Sequence, residues 1–461
     1  MSNANKPRTA YYLRRYPVLS ETFIRREIEA IREGGIAIDI IADQPEDKPL
    51  ELFGLRTNIE TTTYIEPVDR RRLKSYLSSL LLTRPWRVLA VSAYILTQRY
   101  SRFKSPSEDR QIFVKSVLLA GILLERKIRH LHTPWMSIDA FVAICAAKLA
   151  GITFTTQARA FDIHSKPYVF ALQQKLRQAR LVITNTRYNY AHLKAMLPAR
   201  QSEKIHQIYN GVPLGQMQPE KNGHRNSPLP VILSVGRLVE QKGLTYLLKA
   251  CRYLMDREVQ FVCEIVGAPH RPGSDHHKML LRLHRDLDLN ERVRFLGPKS
   301  FAEILERYKT AAIFVLPCVI QKDGGRDIIP NALIEAMAMQ LPVISTFITG
   351  IPEIVDPGVD GILVPPRDES ALAEAIMNLL ADEERMRFLG QNARRKVEAR
   401  FDITKNIKQY VLLFRQASEC RTAARNRRSG DVFIPTNGSH EIRDLANHGP
   451  RLNFNLGAAD E

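Results

Sequence analysis

At 461 residues the chain is too long for one ordinary core, and two or three domains are expected. Its hydrophobic fraction of 44% and charged fraction of 25% suit a soluble globular protein, and five scattered cysteines (Cys145, Cys251, Cys263, Cys318, Cys420) with no C-x-x-C argue against a disulfide framework or a zinc site. The net charge of +18 comes without a zinc-finger, RNA-recognition or KH signature, so no nucleic-acid partner is expected. MSNANKPRTAYYLRRYP lacks the apolar region of a signal peptide. The longest apolar run, residues 88–96, is about half of the roughly 20 residues a spanning helix needs. A reducing, cytoplasmic setting without a membrane crossing is expected.

From the start of the chain, AYYLR, IAIDIIA, GITFTTQ, RLVITNT and KIHQIYN predict strands. ETFIRREIEAIRE, IDAFVAICAAKLA and the stretch after Lys166 predict helices. These belong to a first domain over residues 8–209. Within it, residues 70–129 hold fourteen Lys/Arg against three acids (Glu108, Asp109, Glu125), with Leu, Trp and Tyr at roughly helical spacing. A basic amphipathic insertion of this kind reads as a surface for anionic lipid, or else as a solvated helical insertion with no partner. Residues 210–228, polar and rich in Pro, Gly and Asn, predict a linker.

The second domain, residues 229–400, restarts the alternation with the strands PVILSVG, VQFVCEIVG, VRFLG, AAIFVLP and PVIST. The helices LTYLLKACRYLM, KMLLRLHRDL, AEILERYK and NALIEAMAM lie between them, with more helix after Glu369. A helix over 401–419, expected to cross back to the first domain, and an aperiodic tail over 420–461 finish the chain. Near-continuous apolar strands alternating with helices give parallel sheets covered on both faces, hence an α/β fold of two doubly wound domains facing a central cleft. Ligands of such sheets bind beyond the carboxyl ends of the strands.

Two of those loops carry chemistry. After PVILSVG come Gly236, Arg237, Lys242 and Gly243, and two cations on a glycine-bounded strand-to-helix loop suit a diphosphate. The spacing fits neither a Walker loop nor G-x-G-x-x-G, and a surface loop with two solvated cations is the plain alternative. After AAIFVLP comes DGGRDIIPNALIEAMA, with Asp327 before Pro330 and Glu335 in the next helix. Pro330 suits the first helical turn. Asn331, Ala332, Ala338 and Met339 are helical neighbours of Glu335, so its face is built mainly of small or slender side chains. A carboxylate there can accept from two adjacent hydroxyls, as on a ribose, while Asp327 suits hydroxyls of another sugar or simple helix-end electrostatics.

GRLVEQKG, DGGRDIIPNALIEAMAMQLPVISTFITGIPEIV and DGILVPP together resemble the donor-binding domain of family-four retaining glycosyltransferases. PVLSETFIRREI, HLHTPW and TTQARAFDIH resemble the acceptor half of that family's bacterial polysaccharide members, of the colanic-acid type. The resemblance runs over roughly residues 9–415 and implies the GT-B fold. It implies a UDP- or GDP-sugar donor, a glycan or lipid-linked glycan acceptor, and action in exopolysaccharide synthesis at the inner face of the cell membrane, with no metal or other cofactor required. Arg237 and Lys242 would grip the diphosphate beside Gly236, Asp327 would touch the transferred sugar, and Glu335 would bind the ribose, with Ile328 and Asn331 lining the donor site. Ile328 stands where a glycine is common, and Arg159 where a histidine is common. Arg159 cannot act as a base, but it is compatible with a one-face mechanism and would reinforce the departing diphosphate. Ser20, Glu21, Thr22, His132, Asp162 and His164 are the acceptor-side candidates; capping by Ser20 and a structural role for His130 and His132 are the alternatives. A catalytically silent relative and a sugar-nucleotide epimerase of the same fold are the competing functions.

Overall fold

Strands that are apolar along their length bury both faces, and both sheets here are parallel and covered by helices. The computed structural model describes residues 8–18, 21–46, 62–100, 105–165, 171–219, 228–269 and 273–426. The first sheet contains β1 (Arg8–Arg15), β2 (Ala37–Gln44), β3 (Thr62–Tyr64), β4 (His130–Thr133), β5 (Thr153–Ala158), β6 (Leu181–Thr184) and β7 (Ile205–Gln207). Their spatial order is β3-β2-β1-β4-β5-β6-β7. α1 (Thr22–Glu33) follows β1, and α2 (Arg70–Thr83), α3 (Pro85–Tyr100) and α4 (Pro106–Glu125) lie between β3 and β4. α5 (Ile138–Ala150), α6 (Phe161–His164), α7 (Leu172–Gln178), α8 (Arg187–Ala195) and α9 (Ala199–Ser202) complete this half.

The second sheet repeats the plan with β8 (Val231–Val235), β9 (Val262–Val266), β10 (Val293–Gly297), β11 (Ile313–Leu316), β12 (Val343–Thr346) and β13 (Ile362–Val364). The order is β10-β9-β8-β11-β12-β13. Its helices are α10 (Leu244–Asp256), α11 (Asp275–Asp286), α12 (Phe301–Thr310), α13 (Asn331–Ala338), α14 (Ile351–Ile354), α15 (Glu369–Leu380) and α16 (Glu383–Arg400). The strand order reverses between β1 and β4 and again between β8 and β11, which puts a crevice at the carboxyl end of each sheet. The doubly wound pair expected from the sequence is therefore present. β3 and β13, three residues each, were not legible in it.

Two connections tie the halves. Val212 donates its N–H to Phe401 O at 2.8 Å, and Val212 and Met217 are buried in the core of the second half. The segment expected as a linker is thus anchored over its first residues, and residues 220–227 lie outside those described. α17 (Ile403–Asn426) buries Tyr410, Leu413 and Phe414 against Tyr11, Ile24 and Ile28 of the first half.

The basic segment is not the single surface insertion that its charge suggests. The C-terminal half of α4 is apolar on nearly every face, and its own Ile112 and residues 116–123 are buried in the core that α5 shares. It is the crossover helix that returns the chain to β4, so it belongs to the core. Arg84 and Arg87 of α2–α3 donate to the carbonyls of Ala150 and Lys148. What remains at the surface is α2–α3, with Leu82 84% and Trp86 79% exposed, together with Leu81, Leu89 and Leu96.

Candidate active site

The loop after β8 turns back through a short 3-10 stretch, residues 240–242, before α10. Gly243 makes the turn possible: its φ is +67°, and a Cβ there would overlap the carbonyl of Pro317 just beyond β11. This close approach brings the two carboxyl-end loops of the sheet together. The Lys242 stem crosses Gly236, where a Cβ would meet its Cε at 3.0 Å, and its Nζ stands 3.0 Å from Asp327 Oδ2. Arg237 is half-buried, and its charge acts on Glu21 of the opposite half. Neither α10 nor α13 has a side-chain cap at its N-terminus, so the first-turn N–H groups are left to other acceptors. Pro330 occupies the cap position before Asn331 instead of the first turn, and Asp327 makes no capping bond.

Glu335 and Asn331 share one face of α13, one turn apart. Glu335 is 8% exposed; its Oε1 lies 2.9 Å from Arg26 Nη1, and the Tyr308 hydroxyl reaches its Oε2 at 3.4 Å. Burial, reinforced by the Glu335 charge, pushes the Tyr308 phenol well up. Ile328 does not face the crevice at the carboxyl end of the second sheet: it is 1% exposed and belongs to the core of the second half. Its apolar side chain is buried, while its carbonyl and that of Asp327 accept from Thr349 Oγ1.

On the first half, Arg159 is also moved from its expected role. It is 2% exposed and donates to Glu27 Oε2 at 2.5 Å and to Asn210 Oδ1 at 2.8 Å, with the Phe23 ring 4.6 Å from its guanidinium carbon. Burial opposes its charge, but Glu27 beside it holds the guanidinium protonated. Asn210 in turn donates to Asn331 Oδ1 at 3.1 Å, so Arg159 positions α13 from behind. Glu27 also accepts from Tyr11 at 2.9 Å and Gln157 at 2.5 Å. Sequence reasoning missed Arg26, Glu27 and Asn210, because a polar side chain shows no sign of a partner that lies 309, 132 or 121 residues away.

His132 is fully buried, flanked by Tyr11 at 4.7 Å and Phe414 at 4.8 Å between ring centres, with Thr155 Oγ1 2.8 Å from its Nδ1. Burial drives its pKa well down, so it packs as a neutral structural histidine and offers no acceptor contact. Asp162 is likewise closed off: its carboxylate accepts from the backbone N–H of Met136, Arg159 and Ala160 and shapes the loop after β5. His164 bonds Asn189 Oδ1 at 2.8 Å, and its carbonyl lies against Gly324 of the donor half, where a Cβ would come within 2.8 Å. Ser20 lies outside the described residues, and Thr22 is the first residue of α1. Glu21 takes the cap position without making a capping bond and accepts from Trp135 Nε1 at 3.4 Å. Burial raises its carboxyl to about 7.

A second carboxylate binds the halves together. Glu353 of α14 accepts from the N–H groups of Arg187 and Tyr188 at 2.8 and 2.7 Å and from the Tyr209 hydroxyl at 2.9 Å. It caps α8 from the opposite domain.

Residues 217–396 match the family model for glycosyl transferases group 1. The chain carries a group 1 glycosyltransferase domain. Among relatives, WcaL of Escherichia coli (strain K12), provisionally named a colanic acid biosynthesis glycosyltransferase, is 28% identical over 86% of this chain and 96% of its own. AmsK of Erwinia amylovora, an amylovoran biosynthesis glycosyltransferase, is 28% identical over 85% of this chain and 95% of its own. Among solved structures, HepE of Anabaena in complex with UDP and glucose superposes with a TM-score of 0.65 at 18% identity, over 88% of this chain and 99% of that one. The fold of the chain is GT-B. Its group 1 domain contains Gly236, Arg237, Lys242, Asp327, Asn331 and Glu335, which lie on and just after the loops that meet above β8 and β11.

Proposed function

We propose that this enzyme transfers a sugar, with retention, from a nucleotide-diphosphate donor to a glycan or lipid-linked glycan in cell-surface polysaccharide synthesis. The observation that carries the reading is the convergence of Lys242, Asp327 and Glu335 at the carboxyl end of the second sheet, across from Glu21 and Arg26. Arg237 and Lys242 neutralise the diphosphate, Asp327 takes hydroxyls of the transferred sugar, and Glu335 takes the ribose. The bond from the anomeric carbon to phosphate oxygen breaks while the bond to the acceptor oxygen forms on the same face. The departing phosphate oxygen takes the acceptor's proton. Such a step depends on stabilising the leaving diphosphate, which the two cations supply. The exopolysaccharide names of the full-length relatives support the substrate class, and the UDP complex of the Anabaena protein supports a UDP-sugar.

The exposed Leu81, Leu82, Trp86 and Leu89 share α2–α3 with the exposed cations Arg70, Arg71 and Lys74, which supports docking on an anionic bilayer at the cytoplasmic face. Among the described residues no helix is long and apolar enough to cross a membrane. Flotation with anionic vesicles tests the docking, and a Leu82→Ser/Trp86→Ser variant that floats as well as wild type would sink it. The donor reading is tested by thermal stability of wild type and Glu335→Ala against UDP, GDP and ADP. A shift with one nucleotide, lost in the variant, is expected; at a hundred times Kd the gain is about 2.7 kcal/mol. Conversion of the donor to its epimer without any acceptor, and with no nucleotide released, would favour the epimerase instead.

A further inference from the structure

Arg26 belongs to the first half, yet its guanidinium is held by the second. Its Nη1 lies 2.9 Å from Glu335 Oε1, and its Cζ sits 4.4 Å from the centre of the Phe301 ring at the start of α12. Both side chains of the ion pair are about nine-tenths buried. The next residue, Glu27, fixes α1 through Arg159 and Asn210 to Asn331. Consecutive residues of α1 therefore grip two positions one turn apart on α13.

A guanidinium offers this pocket what a nucleoside would offer. Like a vicinal diol, it presents adjacent hydrogens to a carboxylate, and like a base it is a flat group that lies on an aromatic ring. The Glu335 carboxylate already spends one oxygen on Arg26 and has Tyr308 near the other, so Arg26 and a ribose compete for the same acceptor. Arg237 and Lys242, which face the diphosphate, take no part in this contact.

We propose that Arg26 plugs the nucleoside part of the donor site, and that a donor enters only when the Arg26–Glu335 pair opens and frees the Glu335 carboxylate. The plug rests on the reading of Glu335 as the ribose acceptor. Apparent affinity falls in proportion to the fraction of molecules that are unplugged, so removing a plug closed in nine of ten molecules tightens binding about tenfold.

The test is calorimetric titration of the full chain, wild type, Arg26→Ala, Arg26→Gln, Glu335→Gln and the Arg26→Ala/Glu335→Gln double variant, with UDP, GDP, ADP and inorganic pyrophosphate. Both Arg26 variants should bind a nucleotide about tenfold or more tightly than wild type, with pyrophosphate affinity unchanged. Unchanged or weaker nucleotide binding by both, with binding still lost in Glu335→Gln, overturns the plug and leaves the ribose site standing. Binding by the Arg26→Ala/Glu335→Gln double variant as tight as by Arg26→Ala overturns the ribose reading and the plug with it. An equal gain for pyrophosphate means general loosening, and also overturns the plug. Because an Arg26 variant leaves a buried carboxylate unpaired, the wild type supplies an independent readout. Its stopped-flow binding rate should level off at the opening rate as nucleotide is raised, and a rate that climbs linearly throughout refutes the plug.

Discussion

Glu353 joins the two halves at a single buried carboxylate, and its replacement by alanine should show what that joint is worth. The side chain accepts three hydrogen bonds of 2.7–2.9 Å, two from the first-turn N–H groups of α8 and one from Tyr209. Hydrogen bonds to a charged group contribute roughly 1.5–3 kcal/mol each, and buried donors left unpaired cost about 1–3 kcal/mol each. The three share one acceptor and water can relieve part of the loss, so about 3–5 kcal/mol is expected for Glu353→Ala, against roughly half of that for Glu353→Gln. Tyr209→Phe removes one bond and should cost about 1 kcal/mol. Urea unfolding of the four proteins gives these values, and the Glu353→Ala/Tyr209→Phe double mutant should show a coupling of about 0.5–3 kcal/mol. The transition should also broaden or split as the halves lose their joint. If Glu353→Ala unfolds within about 0.5 kcal/mol of wild type in a single sharp transition, the carboxylate is not a joint and the reasoning fails.

Other residues make equally definite predictions. Arg159→Ala or Glu27→Ala each strands a buried charge and should destabilise by about 3–5 kcal/mol, with the double mutant well short of the sum; additive losses in denaturant melts would contradict the pairing. Glu21, raised by burial from the ordinary 4.5 to about 7, holds a proton in the folded state that the unfolded chain releases. The stability this supplies is complete below about 4.5 and lost as pH rises through about 7, so Tm should fall from pH 5 to pH 8 more in wild type than in Glu21→Gln. Parallel curves would dismiss the shift. Lys242→Ala should lower kcat by about 10²–10³ through lost stabilisation of the diphosphate, while also raising the donor Kd. Unaltered steady-state kinetics would remove Lys242 from the site. The Cys318 thiol, buried and beside Asp327, is pushed up and should resist alkylation at pH 8 until the chain unfolds.

What the residues determine on their own is the fold and the loops that carry the proposed donor site. Alternation of apolar strands with helices leaves little besides two doubly wound sheets, because both faces of such strands must be covered. Strand-to-helix loops at the carboxyl ends then collect Arg237, Lys242, Asp327 and Glu335, since those loops meet wherever the strand order reverses. Such signals are local, and they survive in the linear chain.

The acceptor side and the basic segment depend on long-range contacts, which the linear chain does not display. Charge counts made residues 70–129 one surface, yet the apolar faces of α4 are buried against α5, and no count of cations reports what a helix packs on. His132 and Asp162 stand in the right order for an acceptor site, and Arg159 for a group beside the departing diphosphate. Burial beneath α17, three backbone N–H groups and the Glu27 carboxylate, respectively, turn them to structural work. Ile328 went the same way into the core. Arg26, Glu27 and Glu353 acquire meaning only when the halves come together. Their partners are distant in sequence, and a charged side chain records nothing of the buried counter-charge that makes it tolerable.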